Sequence, residues 1–522
     1  MSRHEATVRI SEPLEPLEPR SLTERLRVWT PSLSVEALSR ARWFGDKGRR
    51  VEGLALRDAC VLRATIPAAV LALVEVRFAE GDRALYQMPW TIARQSHATA
   101  RGSGGSASLR IQAADGVFYL SDSEPADPLW GEILRALRDG AVTPGGEGRF
   151  HFELSGAGVD DLDDLEEALS RALPARELAG ERSHQVVVHG DLFLYKLYRR
   201  LVPGPHPELE LSLHLSTSGA SRFVPRVRGW LEYRAASEER YALGLLRDFV
   251  PGGTEAWRLL LSELRVSPTA GAAADLPSRL GELTAALHGA LAGAESEALR
   301  SEPFDDDALR RLEDSILRLA RSVGDSGLPA SAAGCRDGAA LGSGDELVEK
   351  VRLFLAAARP ATVDGQSIRV HGDYHLGQVL CAGDELFVVD FEGEPARPVE
   401  ERRAKQSPLK DVAGMLRSFS YVASLAASDE APSDPESPAV ADGRLRRWEE
   451  EARRDFLARY WAAMDQAPGS ATTLPSRAAR RQLLALFELE KTLYEVVYEL
   501  RHRPGTLWIP LRGLERILVP NF

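Results

Sequence analysis

Cysteine is scarce in this sequence: 522 residues contain only Cys60, Cys335 and Cys381, and no two of them form a CxxC pair. Thiols so few and so widely separated argue against a disulfide framework and against a structural zinc site. The chain also lacks a long uncharged apolar run, and its N-terminal segment has no apolar core of a secretory signal. These absences predict a cytoplasmic protein without a membrane partner.

An excess of basic charge is missing as well. The chain has 65 lysines and arginines against 77 aspartates and glutamates, for a net charge of −12. This balance argues against a nucleic acid or an anionic membrane surface as the partner, although a local positive pocket could still hold a nucleotide. An apolar fraction of 44% is typical of a globular protein.

A chain of this length exceeds a single compact core, so several subdomains are expected. The "EPLEPLEP" repeat predicts a flexible tail, and the alternating apolar patterns that follow predict antiparallel strands. The C-terminal half has apolar residues at three- and four-residue spacing, which is typical of helices. The predicted fold is α+β and bilobal, with a flexible tail, a strand-rich cap domain, a strand-rich intermediate subdomain and a mainly helical C-terminal lobe (1–21, 22–105, 106–252 and 253–522).

Two neighbouring stretches, "VHGDYHLGQVL" and "VVDFEGEP", contain the residues most typical of catalysis. Asp373 precedes Gln378 by five residues, and Asp390 follows after two short apolar runs joined by a Gly-Asp turn. This pattern predicts a hairpin that brings Gln378 and Asp390 side by side. Phosphoryl transfer uses one carboxylate beside the attacking hydroxyl, and amide and carboxylate oxygens that hold Mg²⁺. The spacing therefore predicts a kinase that uses ATP, with Asp373 as the base and Gln378 and Asp390 as Mg²⁺ ligands.

The two histidines of the same stretch have other interpretations. A zinc site would need His371 and His375 on one helical face, and Gly372 together with the lack of a third ligand argues against it. We interpret His371 as a structural residue whose ring hydrogen-bonds the catalytic loop. For His375, packing within the loop and contact with the substrate both remain open.

A nucleotide-binding lysine is the next requirement of a kinase. Lys196 lies in the apolar strand pattern "LFLYKLY", where an unpaired ammonium group is unfavourable, and glutamates follow near the start of the next helix. An edge-strand lysine facing solvent is the alternative. Ser183 lies where a phosphate-covering loop is expected, although the sequence lacks GxGxxG. In "LRDFVPGG", Asp248 and Val250 lie where a hinge would contact adenine through its backbone.

These motifs together resemble those of the bacterial maltokinases, which share the aminoglycoside-phosphotransferase-like kinase fold. The similar segments are "ARWFGDKGRR", "LYKLYRRLVPGPHPELEL", "VHGDYHLGQVL", "VVDFEGEPARPVEERRAKQSPLKDVAGMLRSFSY" and "ELEKTLYEVVYELRHRP". The resemblance implies transfer of the ATP γ-phosphate to the anomeric hydroxyl of maltose, which gives maltose 1-phosphate for α-glucan and glycogen synthesis. Maltokinase relatives are often fused to a trehalose synthase, so a functional association with that enzyme is also implied.

The resemblance also implies roles for individual residues. Lys196 would contact the nucleotide phosphates, and Glu210 matches the family's paired glutamate better than Glu208 does. The residues that would line or order the sugar site are Glu394, Lys491, Tyr494 and Glu495. Without the resemblance, the last three are equally typical of a helix with a packed tyrosine and exposed charge pairs.

Two departures from the family pattern leave room for another acceptor. Ser183-His184-Gln185-Val186 replaces a loop that usually reads close to S-N-T-S, and Asp46 replaces a glycine of the cap signature. A glucosamine kinase of the same fold is therefore the first alternative. A non-catalytic pseudokinase is a second, but Lys196 and the three residues of the catalytic pattern are all present. A protein kinase is disfavoured because no A-P-E segment follows Asp390.

Overall fold

The structure is a computed structural model that describes residues 6–95, 108–156, 159–178, 184–266, 272–326, 341–428, 438–466 and 473–519. It divides into two compact units. The first comprises Met1–Leu213 and Pro225–Pro251, and the second comprises His214–Val224 and Gly252–Phe522.

The strands come mainly from the first unit. Its strands are β1 (Ala6–Arg9), β2 (Val51–Arg63), β3 (Ala68–Phe78), β4 (Arg83–Arg94), β5 (Leu109–Ala113), β6 (Gly116–Asp122), β7 (Val142–Pro144), β8 (Gly148–Leu154), β9 (Ala175–Glu177), β10 (Gln185–His189), β11 (Phe193–Leu197), β12 (Arg200–Leu201), β13 (Val227–Ala235) and β14 (Arg240–Asp248). Its helices are α1 (Pro19–Trp29), α2 (Val35–Arg40), α3 (Pro128–Arg138) and α4 (Val159–Ser170), and α5 (Pro207–Thr217) begins in it.

The second unit is mainly helical. Its helices are α6 (Ala256–Leu264), α7 (Ala272–Ala292), α8 (Asp306–Asp325), α9 (Gly344–Ala358), α10 (Val399–Arg403), α11 (Leu409–Ser428), α12 (Pro438–Gln466), α13 (Arg477–His502) and α14 (Trp508–Leu518). Its strands are β15 (Thr254–Glu255), β16 (Glu302–Pro303), β17 (Gln366–Ser367), β18 (Val379–Ala382) and β19 (Glu385–Val388). This distribution confirms the α+β class and the helical C-terminal region.

Strand β3 shows why the sheet of the cap has two buried faces. Its apolar run places Leu71 and Leu73 in one core with Trp130 of α3. Val70 and Val74, which flank these two leucines on the strand, lie in the other core, which includes Leu22 and Leu26 of α1. Since side chains of a strand alternate between the two faces, a continuous apolar run is what a strand covered on both sides requires.

Two expectations about the N-terminal part are wrong. Residues 6–21 are not a flexible tail: β1 pairs in parallel with β5, and Leu14 is fully buried. The first five residues lie outside the described part of the chain. The boundary after residue 105 also fails, because β5 and β6 join the cap sheet, whose order is β1-β5-β6-β4-β3-β2 with β12 paired to β4.

The second sheet of the first unit holds the lysine strand at its interior. Its strand order is β7-β8-β13-β14-β11-β10-β9, so β11 pairs with β10 on one side and β14 on the other. The β10–β11 hairpin turns at Gly190, whose φ of 56° suits glycine. Lys196 therefore lies on a central strand, and the edge-strand alternative is excluded.

Helix boundaries in the second unit follow local sequence signals. Asp305 caps α8 by accepting a hydrogen bond from the Ala308 N–H at 2.9 Å, and Ser343 with Glu346 forms a capping box on α9. Helix α13 ends at His502, two residues before Pro504, because proline disfavours the helical conformation of the residue that precedes it. Within the residues that the structure describes, no helix has the length and apolarity to cross a membrane.

Candidate active site

The β18–β19 hairpin brings together the two predicted metal ligands. Val379 pairs with Val388, and the Val389 N–H donates to the Gln378 carbonyl at 3.0 Å. As a result, the Gln378 Nε2 lies 3.4 Å from the Asp390 Oδ2. The prediction that these two side chains sit side by side is confirmed.

The donor set of this pair fits a magnesium ion. Asp390 has a φ of 70°, an uncommon conformation for a residue other than glycine, and it is typical of residues held in place at functional sites. Rotating the Gln378 amide by half a turn exchanges its nitrogen and oxygen and turns the amide oxygen toward the Asp390 carboxylate. A carboxylate and an amide oxygen are ligands that suit Mg²⁺.

His371 connects the catalytic loop to the segment that carries Asp390. Its buried ring has Nε2 at 3.0 Å from the Val389 carbonyl and Nδ1 at 3.4 Å from the Asp373 N–H. A neutral ring protonated on Nε2 satisfies both contacts, since Nε2–H donates to the carbonyl and Nδ1 accepts. Both ring nitrogens are therefore engaged within the protein, as the structural interpretation of this histidine expects.

Asp411, at the start of α11, fixes the backbone of the catalytic loop. Its Oδ2 accepts from the His371 N–H at 2.8 Å, and its Oδ1 accepts from the Gly372 N–H at 2.9 Å. Burial raises the pKa of this carboxyl, but the hydrogen bond from His288 and the other contacts outweigh it, so the net pKa is lowered. Asp411 thus stays ionised and holds the loop through the N–H groups of His371 and Gly372.

The carboxylate of Asp373, the predicted base, is held by Lys491 of α13. Lys491 Nζ lies 3.0 Å from Asp373 Oδ1 and 2.8 Å from Glu394 Oε1. Burial raises the pKa of Asp373, but the Lys491 charge, the nearby His375 and the hydrogen bond from Lys491 together outweigh burial, so this pKa lies below the usual range. Burial lowers the pKa of Lys491, but Glu394 and Asp373 raise it well above its ordinary value. The Asp373 carboxylate is therefore ionised at neutral pH, and its Oδ1 is already engaged by Lys491.

Glu394 contacts three cations, which are Lys491, Arg397 and Lys410. It is only 2% exposed, and Arg397 donates to it through Nε, while the Lys410 ammonium lies 4.0 Å from its Oε2. Burial raises the pKa of Glu394, but Lys491, Lys410 and Arg397 together lower it to about 2. Arg397 also reaches Glu490 at 3.0 Å, so the cluster extends along α13.

The other predicted sugar-site residues lie near this cluster. His375 caps the turn Leu376–Gln378 by accepting from the Gly377 N–H at 3.0 Å, and its Nε2 lies 3.8 Å from Asp373 Oδ2. Tyr494 lies beside the cations of Lys491 and Arg397, and Lys491 Nζ is 5.0 Å from the centre of its ring.

Glu495 is held by Arg417, a buried residue of α11. Both hydrogen bonds from Arg417, at 2.9 and 2.7 Å, end on Glu495 Oε2. Burial raises the pKa of Glu495, and the Arg417 charge offsets only part of this rise. Among the described residues no hydrogen bond is made to Oε1, so that oxygen can accept one from a ligand.

In the first unit, Lys196 forms a buried ion pair with Glu208. Lys196 Nζ lies 2.9 Å from Glu208 Oε2, and Tyr198 donates to the same oxygen at 2.9 Å. Glu208 is 2% exposed. The structure thus pairs Lys196 with Glu208. The preference for Glu210, which the family resemblance implied, is corrected.

The other residues predicted to contact the nucleotide are Asp248, Val250 and Ser183. Asp248 ends β14 and its carboxylate accepts from Arg228 at 2.6 Å, so its side chain is engaged within the first unit. Val250 is buried just beyond the strand. Ser183 lies outside the described residues. The hinge and phosphate-loop contacts therefore stay predictions.

Several residues of the site were missed by sequence reasoning. They are Asp411, Arg397, Lys410, Arg417 and His288. Arg397 follows Glu394 by three residues in "EGEPARP", which is a local signal that could have linked the two. Asp411 and Arg417 lie in a helix whose apolar periodicity indicates packing, and nothing local shows that their side chains reach the catalytic loop or Glu495.

Two segments of the chain match known protein families. Residues 193–394 match the model of the phosphotransferase enzyme family, and residues 38–116 match that of the maltokinase N-terminal cap domain. A glucosamine kinase of Mycolicibacterium smegmatis is 25% identical over 419 residues, which cover 78% of this chain and 92% of that protein. A glucosamine kinase of Streptacidiphilus jiangxiensis is 25% identical over 416 residues, covering 77% and 84%.

Solved structures show the same fold. A glucosamine kinase in complex with glucosamine, ADP and inorganic phosphate superposes with a TM-score of 0.59 at 21% identity, covering 92% of this chain and 98% of that one. Crystal form A of a glucosamine kinase gives a TM-score of 0.61 at 20% identity, covering 93% of this chain and 99% of that one. These structures show that the chain has a kinase fold. The match to the phosphotransferase family and the glucosamine kinase relatives identify a phosphotransferase that acts on a hydroxyl acceptor. The protein is maltokinase-like in the order of its matched segments, since the segment similar to the maltokinase N-terminal cap domain precedes the one similar to the phosphotransferase family.

Proposed function

We propose that the protein is an ATP- and Mg²⁺-dependent kinase that transfers the γ-phosphate of ATP to a hydroxyl group of a sugar. The observation that carries the proposal is the ionised, cation-held carboxylate of Asp373 on a loop that the Gln378–Asp390 pair adjoins. A carboxylate beside the acceptor hydroxyl and oxygen ligands for Mg²⁺ are groups that phosphoryl transfer to a hydroxyl uses. The names of the relatives support the sugar as acceptor.

In this proposal the chain's own residues position the acceptor and move its proton. Lys491 occupies Asp373 Oδ1, so the sugar hydroxyl would bond to Oδ2 and release its proton there. Gln378 and Asp390 would hold Mg²⁺, which supplies neutralisation of phosphate charge when it is bound. Lys196 would contact the nucleotide phosphates.

Replacement of Glu208 with glutamine should raise the KM for ATP about tenfold, because the charge that orients the buried Lys196 ammonium is lost. Glu210→Gln is the matched control, since it makes the same chemical change two residues along α5. Steady-state ADP release at varied ATP concentration measures the KM for ATP of both variants. A rise in KM for Glu210→Gln alone would reverse the assignment of the paired glutamate.

Two acceptors have specific support. Glucosamine is favoured by relatives whose similarity extends over 92% and 84% of their own length. Glu495 Oε1 also offers a carboxylate oxygen to an ammonium or hydroxyl group of the ligand. Maltose is favoured by the cap domain and by the sequence motifs of α13. Because alignment with a glucosamine kinase covers 98% of that chain, similarity in the cap does not by itself select maltose.

The deciding experiment is a panel of sugars incubated with ATP and Mg²⁺, with ADP release measured and each product identified by ³¹P NMR. Glucosamine and maltose are the two acceptors expected to give turnover, and the one with the higher kcat/KM identifies the specificity. Glucose serves as the matched control for glucosamine because it differs only at the amino position. Absence of turnover with every sugar would refute the proposal. A functional association with a trehalose synthase would follow only from activity on maltose.

A further inference from the structure

A chain of buried hydrogen bonds runs from α12 to the backbone beside the catalytic aspartate. Tyr460 Oη lies 2.9 Å from His288 Nδ1, and His288 Nε2 lies 3.3 Å from Asp411 Oδ2. The same carboxylate holds the N–H groups of His371 and Gly372. Tyr460 and His288 are fully buried, and Asp411 is 1% exposed. Three helices are thus connected to the residue that precedes Asp373.

Donor and acceptor chemistry gives this chain a direction. The ionised Asp411 carboxylate can only accept, so in a neutral ring the proton of His288 lies on Nε2. Nδ1 of that ring is then an acceptor, and the Tyr460 hydroxyl donates to it. Burial raises the pKa of Tyr460 well above its ordinary value, so the hydroxyl keeps its proton. Each member therefore fixes the tautomer or the orientation of the next one.

The packing of α7 against α12 explains why Tyr460 reaches His288. A Cβ at Gly281 would lie 2.4 Å from the Phe456 carbonyl oxygen and 3.1 Å from the Tyr460 backbone nitrogen. Only glycine permits so close an approach of the two helices. Gly281 lies about two turns before His288 on α7, so the contact brings the Tyr460 side chain alongside the imidazole.

Helix α7 also holds the catalytic loop on the other side of Asp373. Thr284, one turn before His288, has its hydroxyl 3.1 Å from that of Tyr374, with which it is hydrogen-bonded. Tyr374 is 1% exposed, and a Cβ at Gly414 would lie 2.6 Å from its carbonyl oxygen. The base is therefore bracketed: Gly372 is held through Asp411, and Tyr374 is held by Thr284.

We propose that His288 and Tyr460 are positioning residues for the catalytic base. They act through Asp411 on the backbone of the catalytic loop, and so set the direction of the Asp373 carboxylate without touching the substrate. The inference rests on the proposed function in one respect, the role of Asp373 as base. Neither residue belongs to the motifs from which the activity was predicted.

The test is the Tyr460→Phe variant, which removes one hydroxyl and keeps the buried ring. We expect kcat with the best acceptor of the sugar panel to fall about tenfold, while the KM values for ATP and sugar stay within about twofold. Tyr233→Phe is the matched control: it removes a hydroxyl that donates to Asp58 at 2.8 Å in the first unit. This control should lower thermal stability and leave kcat unchanged.

A double variant tests whether the two residues act as one chain. His288→Gln should lower kcat by at least as much as Tyr460→Phe, and the combined variant should be no slower than His288→Gln alone, since the chain is already broken. Multiplying effects would contradict the chain. An unchanged kcat in Tyr460→Phe, or an equal loss in Tyr233→Phe, would overturn the inference. Absence of turnover in the unmodified protein with every sugar of the panel would instead refute the proposed function.

Discussion

Replacing Asp373 with asparagine is expected to lower kcat by about 10²- to 10⁴-fold, the range that a general base contributes. Asparagine has nearly the same shape, and its amide oxygen can still accept the hydrogen bond that Lys491 donates to Oδ1. What it cannot do is take a proton from the acceptor hydroxyl. The loss should therefore appear in kcat, with the affinity for nucleotide largely kept, because the metal-binding pair and Lys196 are unchanged.

The measurement is steady-state ADP release, with nucleotide affinity determined separately by calorimetry. Asp384→Asn is the matched control, because it makes the same chemical change at a nearby residue. Asp384 lies in the exposed turn between β18 and β19. Thermal unfolding of both variants checks that the fold is intact. Turnover of Asp373→Asn within a few-fold of the unmodified protein would show that another group accepts the proton.

The parts of the fold that the sequence predicts are those with local signals. The β10–β11 and β18–β19 hairpins have glycine turns between apolar runs, and α13 has a continuous apolar period that stops before Pro504. Strand β1 has no such signal. Its four residues are stabilised by parallel pairing with β5, about a hundred residues away, and the prolines that follow suggested a tail. Pairing of this kind is decided by tertiary contacts.

The site shows the same division between local and distant contacts. Gln378 and Asp390 could be paired from their spacing, because a hairpin alone joins them. Glu208 and Glu210 lie two residues apart on one helix and so point in different directions, and only the packing of α5 shows which one meets Lys196. The contact between Lys491 and Asp373 spans 118 residues and depends on how α13 packs in the second unit.

That contact gives the second large prediction. Lys491→Met should lower kcat about 10²-fold at neutral pH, because Asp373 loses the partner that holds its Oδ1 in place. It should also change the pH dependence. Burial raises the pKa of Asp373, and the Lys491 charge is the largest of the effects that lower it, so removal of the ammonium raises that pKa. The base must be deprotonated to act, and the acidic limb of kcat/KM therefore moves to higher pH.

The profile of kcat/KM against pH, measured with one sugar and saturating ATP and Mg²⁺, tests this prediction. Lys491→Arg keeps the charge and should leave the limb close to its original position. The fold should survive the substitution by methionine, because Glu394 keeps Arg397 and Lys410 as partners.

The other groups that face Asp373 are His375 and Glu394, and they must be separated from the effect. Burial lowers the pKa of His375, so its titration also falls on the acidic side. His375→Gln in the same assay removes that titration, and a limb that persists in this variant belongs to Asp373. Glu394 has a pKa of about 2 and stays ionised across the working range. A limb that does not move in Lys491→Met, yet disappears in His375→Gln, would assign the titration to the histidine and leave Lys491 as a sugar contact only.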